Sequence, residues 1–377
     1  MGNKSNLEKM VSFSHLRSYF EGKHVFLTGH TGFKGSWLLQ ILSLIGAKVY
    51  GYSLAPEKKD DLYYRIDGDA LCEKSVIADI RDVNRLQQEL LECQPDFVFH
   101  LAAQPLVLRA YQEPLYTFDV NGQGTANVLE ALRKLSKKCV AVMITTDKVY
   151  ENLEEERSFK EDDKLGGYDP YSASKAVAEI IISSYRNSFF NPSNYTTHQK
   201  SIASMRAGNV IGGGDYSDNR IIPDIIRALQ QNLPIELRFP NAIRPWQHVL
   251  EPLGAYMLLA TMMVDHPMDY CTSYNIGPEP SDILKVETLA QMALEIAGKG
   301  EITKSEEPQK LHEAGILMLD IQKIKQELHW TPKMNAQQAI RKTIEWYLDA
   351  DDAANKCISQ INEYFESSLL DAIPNES

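Results

Sequence analysis

Long apolar runs are missing from this 377-residue chain. No stretch reaches the ~18 consecutive apolar residues of a membrane span. The first twenty residues are too polar and interrupted for a secretory leader. Paired cysteine spacing is missing as well. Cys72, Cys93, Cys139, Cys271 and Cys357 stand far apart, which argues against a disulfide framework or a zinc site and for buried thiols in a reducing compartment. A cytoplasmic location is therefore expected, and the glycosylation-type triplet Asn194-Tyr195-Thr196 carries no meaning there. Basic charge is also scarce: 39 Lys and Arg face 51 Asp and Glu, for a formal net charge of −12. This argues against nucleic acid as a general partner, although a few local arginines could still hold one anionic ligand. No internal repeat interrupts the chain.

What is present is an ordinary globular composition, 44% hydrophobic and 24% charged, on a chain long enough for a large core and two lobes. After a polar lead-in over residues 1–22, His24 to Leu27 reads as a short buried strand. It runs into Gly29-His30-Thr31-Gly32-Phe33-Lys34-Gly35, an apolar helix over 36–45 and a second strand over 48–52. Strand, glycine turn, helix, strand is the context in which such a turn binds a dinucleotide. The first glycine makes the tight turn, the second lets a pyrophosphate approach the backbone, and the third lets the helix pack on the sheet. The helix start offers free N–H groups and partial positive charge.

The alternation continues. Strands are expected at Val76 to Ala78, ending in Asp79 as a candidate adenine-edge contact, and at Phe97 to Ala103, whose small terminal residues leave room for a cofactor. A long helix over 115–135 follows, then strands over 140–144 and 201–207 and a helix over 171–186. The pattern predicts an α/β protein with a doubly wound parallel Rossmann sheet. Beyond residue 210, short strands, prolines and scattered helices predict a smaller mixed α/β substrate lobe. The expected division is a dinucleotide-binding domain over 20–210 with segments returning from the C-terminal half, a substrate lobe over 211–350, and an acidic tail over 351–377.

Chemistry concentrates at Thr145-Thr146-Asp147-Lys148-Val149-Tyr150, where a buried strand ends, and at Tyr171-Ser172-Ala173-Ser174-Lys175, which opens a helix. In open α/β sheets that strand edge is where ligands bind, and Tyr171 and Lys175 stand one helical turn apart on one face. A second Tyr-x-x-x-Lys, Tyr19 to Lys23, lies before any fold signal and reads as accidental. His100 and His248 read as structural, whereas Arg220 and Arg244, with Arg238 behind them, suit a pyrophosphate because a guanidinium binds two oxygens at once.

These runs resemble the extended short-chain dehydrogenase/reductase family. More narrowly, they are similar to the CDP-glucose 4,6-dehydratases in Thr28–Trp37, Leu101–Pro105, Asp147–Asn152, Gly208–Asp215 and Arg244–Leu253. The resemblance spans about residues 20–350. It implies NAD as cofactor, held by Gly29, Thr31, Gly32, Phe33, Lys34 and Gly35, by Asp79 and Ile80, by Leu101, Ala102 and Ala103, and by Tyr171 and Lys175. Gly51-Tyr52-Ser53 follows the second strand where relatives often place a ribose-binding carboxylate, so NADP stays open on the residues alone. The implied substrate is CDP-glucose, contacted by Asn209, Arg220, Arg244 and Asn275. The implied reaction oxidises C4, expels water across C5–C6 and returns the hydride to C6. Tyr171 is the implied base at the 4-hydroxyl, its phenol lowered by Lys175 and by the cationic nicotinamide. Thr146 orients the 4-oxygen, Asp147 is the acid and Lys148 the base of elimination. Related dTDP-glucose dehydratases carry Asp-Glu where this chain has Asp147-Lys148, and Val149 and the Thr145-Thr146 pair also depart from the family run. A homodimer built on the two long helices is implied too. Two alternatives stay open: a nucleotide-sugar 4-epimerase, which has no use for Asp147 and Lys148, and a cofactor-binding redox sensor without turnover.

Overall fold

The computed structural model describes residues 12–153, 155, 157–304 and 317–370. Seven strands form one parallel sheet: β1 (His24–Thr28), β2 (Lys48–Ser53), β3 (Lys74–Ile77), β4 (Phe97–His100), β5 (Cys139–Thr146), β6 (Lys200–Ala207) and β7 (Ser273–Ile276). Their spatial order is β7-β6-β5-β4-β1-β2-β3. The order reverses between β1 and β4, the switch point at which ligands bind in such sheets.

Residues alternate between the two faces of the sheet. Val25, Leu27, Phe97, Phe99, Val140 and Val142 enter one core cluster, while Phe26, Val98, Ala141 and Met143 enter the other. Both faces are covered, so β5 and β6 are buried along their full length; β5 reads in sequence as a near-continuous apolar run, whereas β6 also buries Lys200, Ser201, Ser204 and Arg206.

Helix α1 (Phe33–Leu44) starts at the glycine turn. The long helix expected over 115–135 is a relay instead: Pro114–Phe118, a π-helical turn Asp119–Gln123, then α2 (Gly124–Lys134). Asn121, Gly122 and Gly124 are poor helix formers, and the wider turn spends Asn121 on tertiary bonds described below. Helix α3 (Pro170–Ser188) begins sharply because Asp169 caps the backbone N–H of Ser172 at 3.0 Å and Pro170 takes the first turn. The C-terminal half supplies α4 (Ile221–Gln231), α5 (Leu250–Asp265) and two-stranded ladders, of which Ile235–Leu237 pairs with Ile302–Lys304. It also returns β7 to the main sheet beside β6.

Residues 353–370, set apart by composition as an acidic tail, form helix α6, and its Cys357, Ile361, Tyr364 and Phe365 are buried in the first core cluster. The end of that stretch, 371–377, lies outside the described residues. Glu251 of α5 fastens this corner. It is fully buried and accepts from the N–H groups of Lys333 (3.0 Å) and Met334 (2.7 Å) and from the Tyr364 hydroxyl (3.1 Å). Burial pushes its carboxyl up to about 7 from an ordinary 4.5, against the pull of those donors. The folded chain thus holds this proton to higher pH than the unfolded chain does. Stability from this group is therefore lost as pH rises from about 4.5 to about 7. Relative to the native chain, Glu251→Gln should gain about 3 kcal/mol between those limits. Urea unfolding of both proteins across that range checks this; a difference that does not change with pH contradicts it.

Candidate active site

A cleft of about 610 Å³ opens at the C-terminal edge of the sheet. Phe33, Lys34, Thr146, Asp147, Lys148, Tyr171, Asn209, Arg220, Arg238 and Arg244 all line it. The structure therefore brings together residues that lie up to about two hundred positions apart in sequence.

The glycine turn leads into this lining through Phe33 and Lys34 at the start of α1. Gly29 has φ +76°, and a Cβ there would lie 2.7 Å from the Ala102 nitrogen and 2.9 Å from the Leu101 carbonyl carbon. A Cβ on Gly35 would fall 1.9 Å from the Gly29 oxygen, so α1 packs on the turn itself. Gly32 differs: a Cβ there would meet only the Gly29 oxygen, at 3.4 Å, and the residue is exposed. That is an open cradle at a helix start, and it fits a pyrophosphate. Thr31 is spent internally, its hydroxyl bonded to Ser53 Oγ and to Leu54 O, each at 2.8 Å. Leu101 and Ala102 are tied back to β1, the latter by its N–H on Thr28 Oγ1 at 3.2 Å, and Ala103 follows them, half-buried. Asp79 stands past the end of β3 with its carboxylate held by Arg81 at 2.7 Å, while Ile80 is buried against Gly124.

The candidate reacting groups gather where β5 ends. Thr146 Oγ1 donates to Asp147 Oδ1 at 2.8 Å, and the Lys148 ammonium stands 3.6 Å from the same oxygen. Asp147 is fully buried, and its Oδ2 has no hydrogen-bond partner among the described residues. A Cβ on Gly208 would collide with that oxygen at 2.2 Å, so the glycine after β6 keeps space for the carboxylate. Burial pushes the Tyr171 phenol up to about 12; the neighbouring Thr146 hydroxyl and Arg220 act against this, and the Asp147 charge adds to it. Lys175 spends its amine on the Ile144 carbonyl at 3.2 Å. Burial brings its own pKa down to about 8, with Glu179 one turn on pulling it up. Lys34 reaches the same cleft and is pushed down to about 7 by lost hydration, then by Lys175 and Arg220.

Of the substrate candidates, Arg220 pairs with Asp215 at 2.9 Å, Arg244 is buried, and Asn209 keeps a buried Nδ2 without a partner among the described residues. Asn275 is not brought to the cleft. It is fully buried on β7, accepts from the Tyr150 hydroxyl at 2.6 Å, and donates to Phe159 O and Asp320 O. A short polar residue on a strand that returns to the sheet is consumed by the strands and loops around it. His100 bridges Thr28 and Thr125, and His248 is buried beside Trp37; both are structural, and burial pushes each down to about 3.

Two supports escaped the sequence reading. Asn121 donates to Ser174 Oγ at 2.8 Å and to Gln104 O at 3.1 Å, and accepts from Gln104 N at 2.8 Å. It thereby locks the loop after β4 to the helix carrying Tyr171 and Lys175. The signal was a weak one, Asn-Gly-Gln-Gly inside an amphipathic run. Beneath the site, Glu179 forms a buried pair with Arg206 at 2.9 Å and accepts from Ser204. Its spacing of four from Lys175 was the available hint.

Residues 26–343 match the model of the family described as GDP-mannose 4,6 dehydratase. The chain belongs to this family. It is 40% identical over 331 residues to the CDP-glucose 4,6-dehydratase of Salmonella typhimurium, covering 88% of this chain and 92% of that protein. Among solved structures, a UDP-glucose 4-epimerase of Thermus thermophilus in complex with NAD superposes with a TM-score of 0.72 at 25% identity, over 86% of this chain and 99% of that one. A dTDP-glucose 4,6-dehydratase of Bacillus anthracis in complex with NAD gives 0.72 at 21% identity, over 88% and 99%; at that distance the likeness is one of fold.

Proposed function

We propose that the chain is an NAD-dependent nucleotide-sugar 4,6-dehydratase that converts CDP-glucose to CDP-4-dehydro-6-deoxyglucose. The observation that carries this reading is the Asp147–Lys148 pair, set beside Thr146 and Tyr171 on one wall of the cleft. An epimerase needs only the latter two with Lys175, and a redox sensor needs none of them. The 40% identity to a CDP-glucose dehydratase supports the nucleotide and the sugar.

A bound oxidised nicotinamide supplies the hydride acceptor at C4, the donor at C6, and a positive charge that favours phenolate. Tyr171 takes the 4-hydroxyl proton as hydride leaves C4, and Thr146 orients that oxygen. The new carbonyl acidifies C5–H by spreading the developing charge. Lys148 removes that proton and Asp147 delivers one to the departing 6-oxygen, which leaves as water. Hydride arrives at C6, a proton returns to C5, and no net oxidant is consumed. Lys175 positions Tyr171 and the cofactor ribose. Arg220 and Arg244 offer fork-shaped donors to the pyrophosphate, with Asn209 beside them. The five cysteines are unpaired, which suits the reducing cytoplasm.

Incubation with CDP-glucose in deuterated water tests the reading. A product lighter by one water, with deuterium at C5, supports it; CDP-galactose formed without water loss supports an epimerase.

We also propose a homodimer. Leu115, Val177 and Ile180 on the Pro114–Phe118 helix and α3 are exposed, at 81%, 37% and 56%, and these helices pack side by side. An exposed apolar patch of this kind suits a self-complementary two-fold contact. Ile180→Asp should convert the dimer to monomer in sedimentation equilibrium. A native protein that is already monomeric, or a variant that stays dimeric, contradicts this.

A further inference from the structure

One cleft group has no part in the chemistry above. Glu236 lies on the strand Ile235–Leu237, between two buried neighbours, and its exposed side chain lines the cleft. It has no ion-pair or hydrogen-bond partner among the described residues. The same cleft is also lined by Phe239, Ala242 and Val286, apolar side chains of the kind on which a planar base stacks. Arg238, two residues on, is held in place by Asn219 O at 3.0 Å and by Asp224 at 3.5 Å. The carboxylate is therefore left to face the ligand rather than the neighbouring arginine.

An ionised carboxylate only accepts hydrogen bonds. Cytosine presents an N4 amine donor on the edge where thymine, like uracil, presents an O4 acceptor. We propose that Glu236 reads the nucleobase: it accepts a hydrogen bond from an exocyclic amine, that of cytosine, and rejects uracil and thymine because their carbonyl oxygen would face a carboxylate. The inference rests on the nucleotide-sugar reading and goes beyond it, since it assigns base discrimination to one side chain of this chain. A carboxylate set against a carbonyl oxygen loses a hydrogen bond and adds repulsion, so this group favours the amine-bearing base.

Calorimetric titration of the full chain with CDP, UDP, dTDP and GDP tests this without requiring turnover. The native protein should bind CDP about tenfold or more tightly than UDP or dTDP. Glu236→Gln keeps the side-chain volume at an exposed position but can donate to O4 as well as accept from N4, so the CDP-to-UDP preference should collapse toward equality. Glu236→Ala should lose the preference through weaker CDP binding. A preference unchanged in both variants overturns the proposal and leaves the dehydratase reading standing. A native protein that binds no CDP overturns both. Tighter GDP than CDP, with the preference over UDP lost in Glu236→Gln, supports the carboxylate's role and overturns the cytidine assignment.

Discussion

Tyr171→Phe should abolish turnover while leaving nucleotide binding intact. The phenol is buried at the end of the cleft beside Thr146 and is pushed up to about 12 by burial, so its own surroundings hold the proton on. A phenol that must act as base under those conditions depends on its hydroxyl entirely, and phenylalanine fills the same space without one. Loss of a positioned general base lowers rates by ~10²–10⁴-fold. The expected result is a fall of that size in kcat on CDP-glucose, with the Kd for CDP within about threefold of native. Parallel loss of CDP binding would mean that the substitution disturbs the fold around Asp169, Ser172 and Ser174, whose bonds hold the helix start. Retained kcat would remove Tyr171 from the chemistry.

The second large effect divides the reaction at its midpoint. Lys148→Met and Asp147→Asn should leave C4 oxidation in place and stop water loss. Both groups stand at the end of β5, joined at 3.6 Å, with the Asp147 Oδ2 unpartnered and buried. Asparagine keeps the shape and can still bond Thr146, but it cannot deliver a carboxyl proton. Methionine keeps the reach of lysine without its amine. Dehydrated product should form ~10²–10⁴-fold more slowly in each. Rapid mixing should show C4 oxidation without release of water, the hydride having only C4 to return to. Full-speed dehydration in both variants would remove the pair from the mechanism.

Much of this was legible in the sequence, for physical reasons. A strand buried on both faces, such as Cys139–Thr146, reads as an apolar run, and the glycine turn was recognisable because it joined a strand to a helix. The cleft group Thr146, Asp147, Lys148 and Tyr171 was found because strand ends and helix starts are local features. Long-range consumption of polar side chains was not legible. Asn275 looked free for a ligand, yet Tyr150, Phe159 and Asp320, remote in sequence, take its hydrogen bonds. Asn121 passed as one more helical residue because only the folded chain brings Gln104 and Ser174 to it. The mild amphipathicity of the last residues, rather than their acidity, pointed to a helix, and its buried face is set by Cys357, Ile361 and Phe365. Net charge reports solubility, whereas spacing of apolar residues reports packing.

In the proposed reaction one cleft removes a hydride from C4 of a sugar and returns it to C6 of the same molecule after water has left. CDP-glucose carrying deuterium at C4 tests this most directly. The label should reappear in the C6 methyl group of the product, with none remaining at C4. A dehydrated product whose methyl group carries no label, or a product that keeps deuterium at C4, would contradict it.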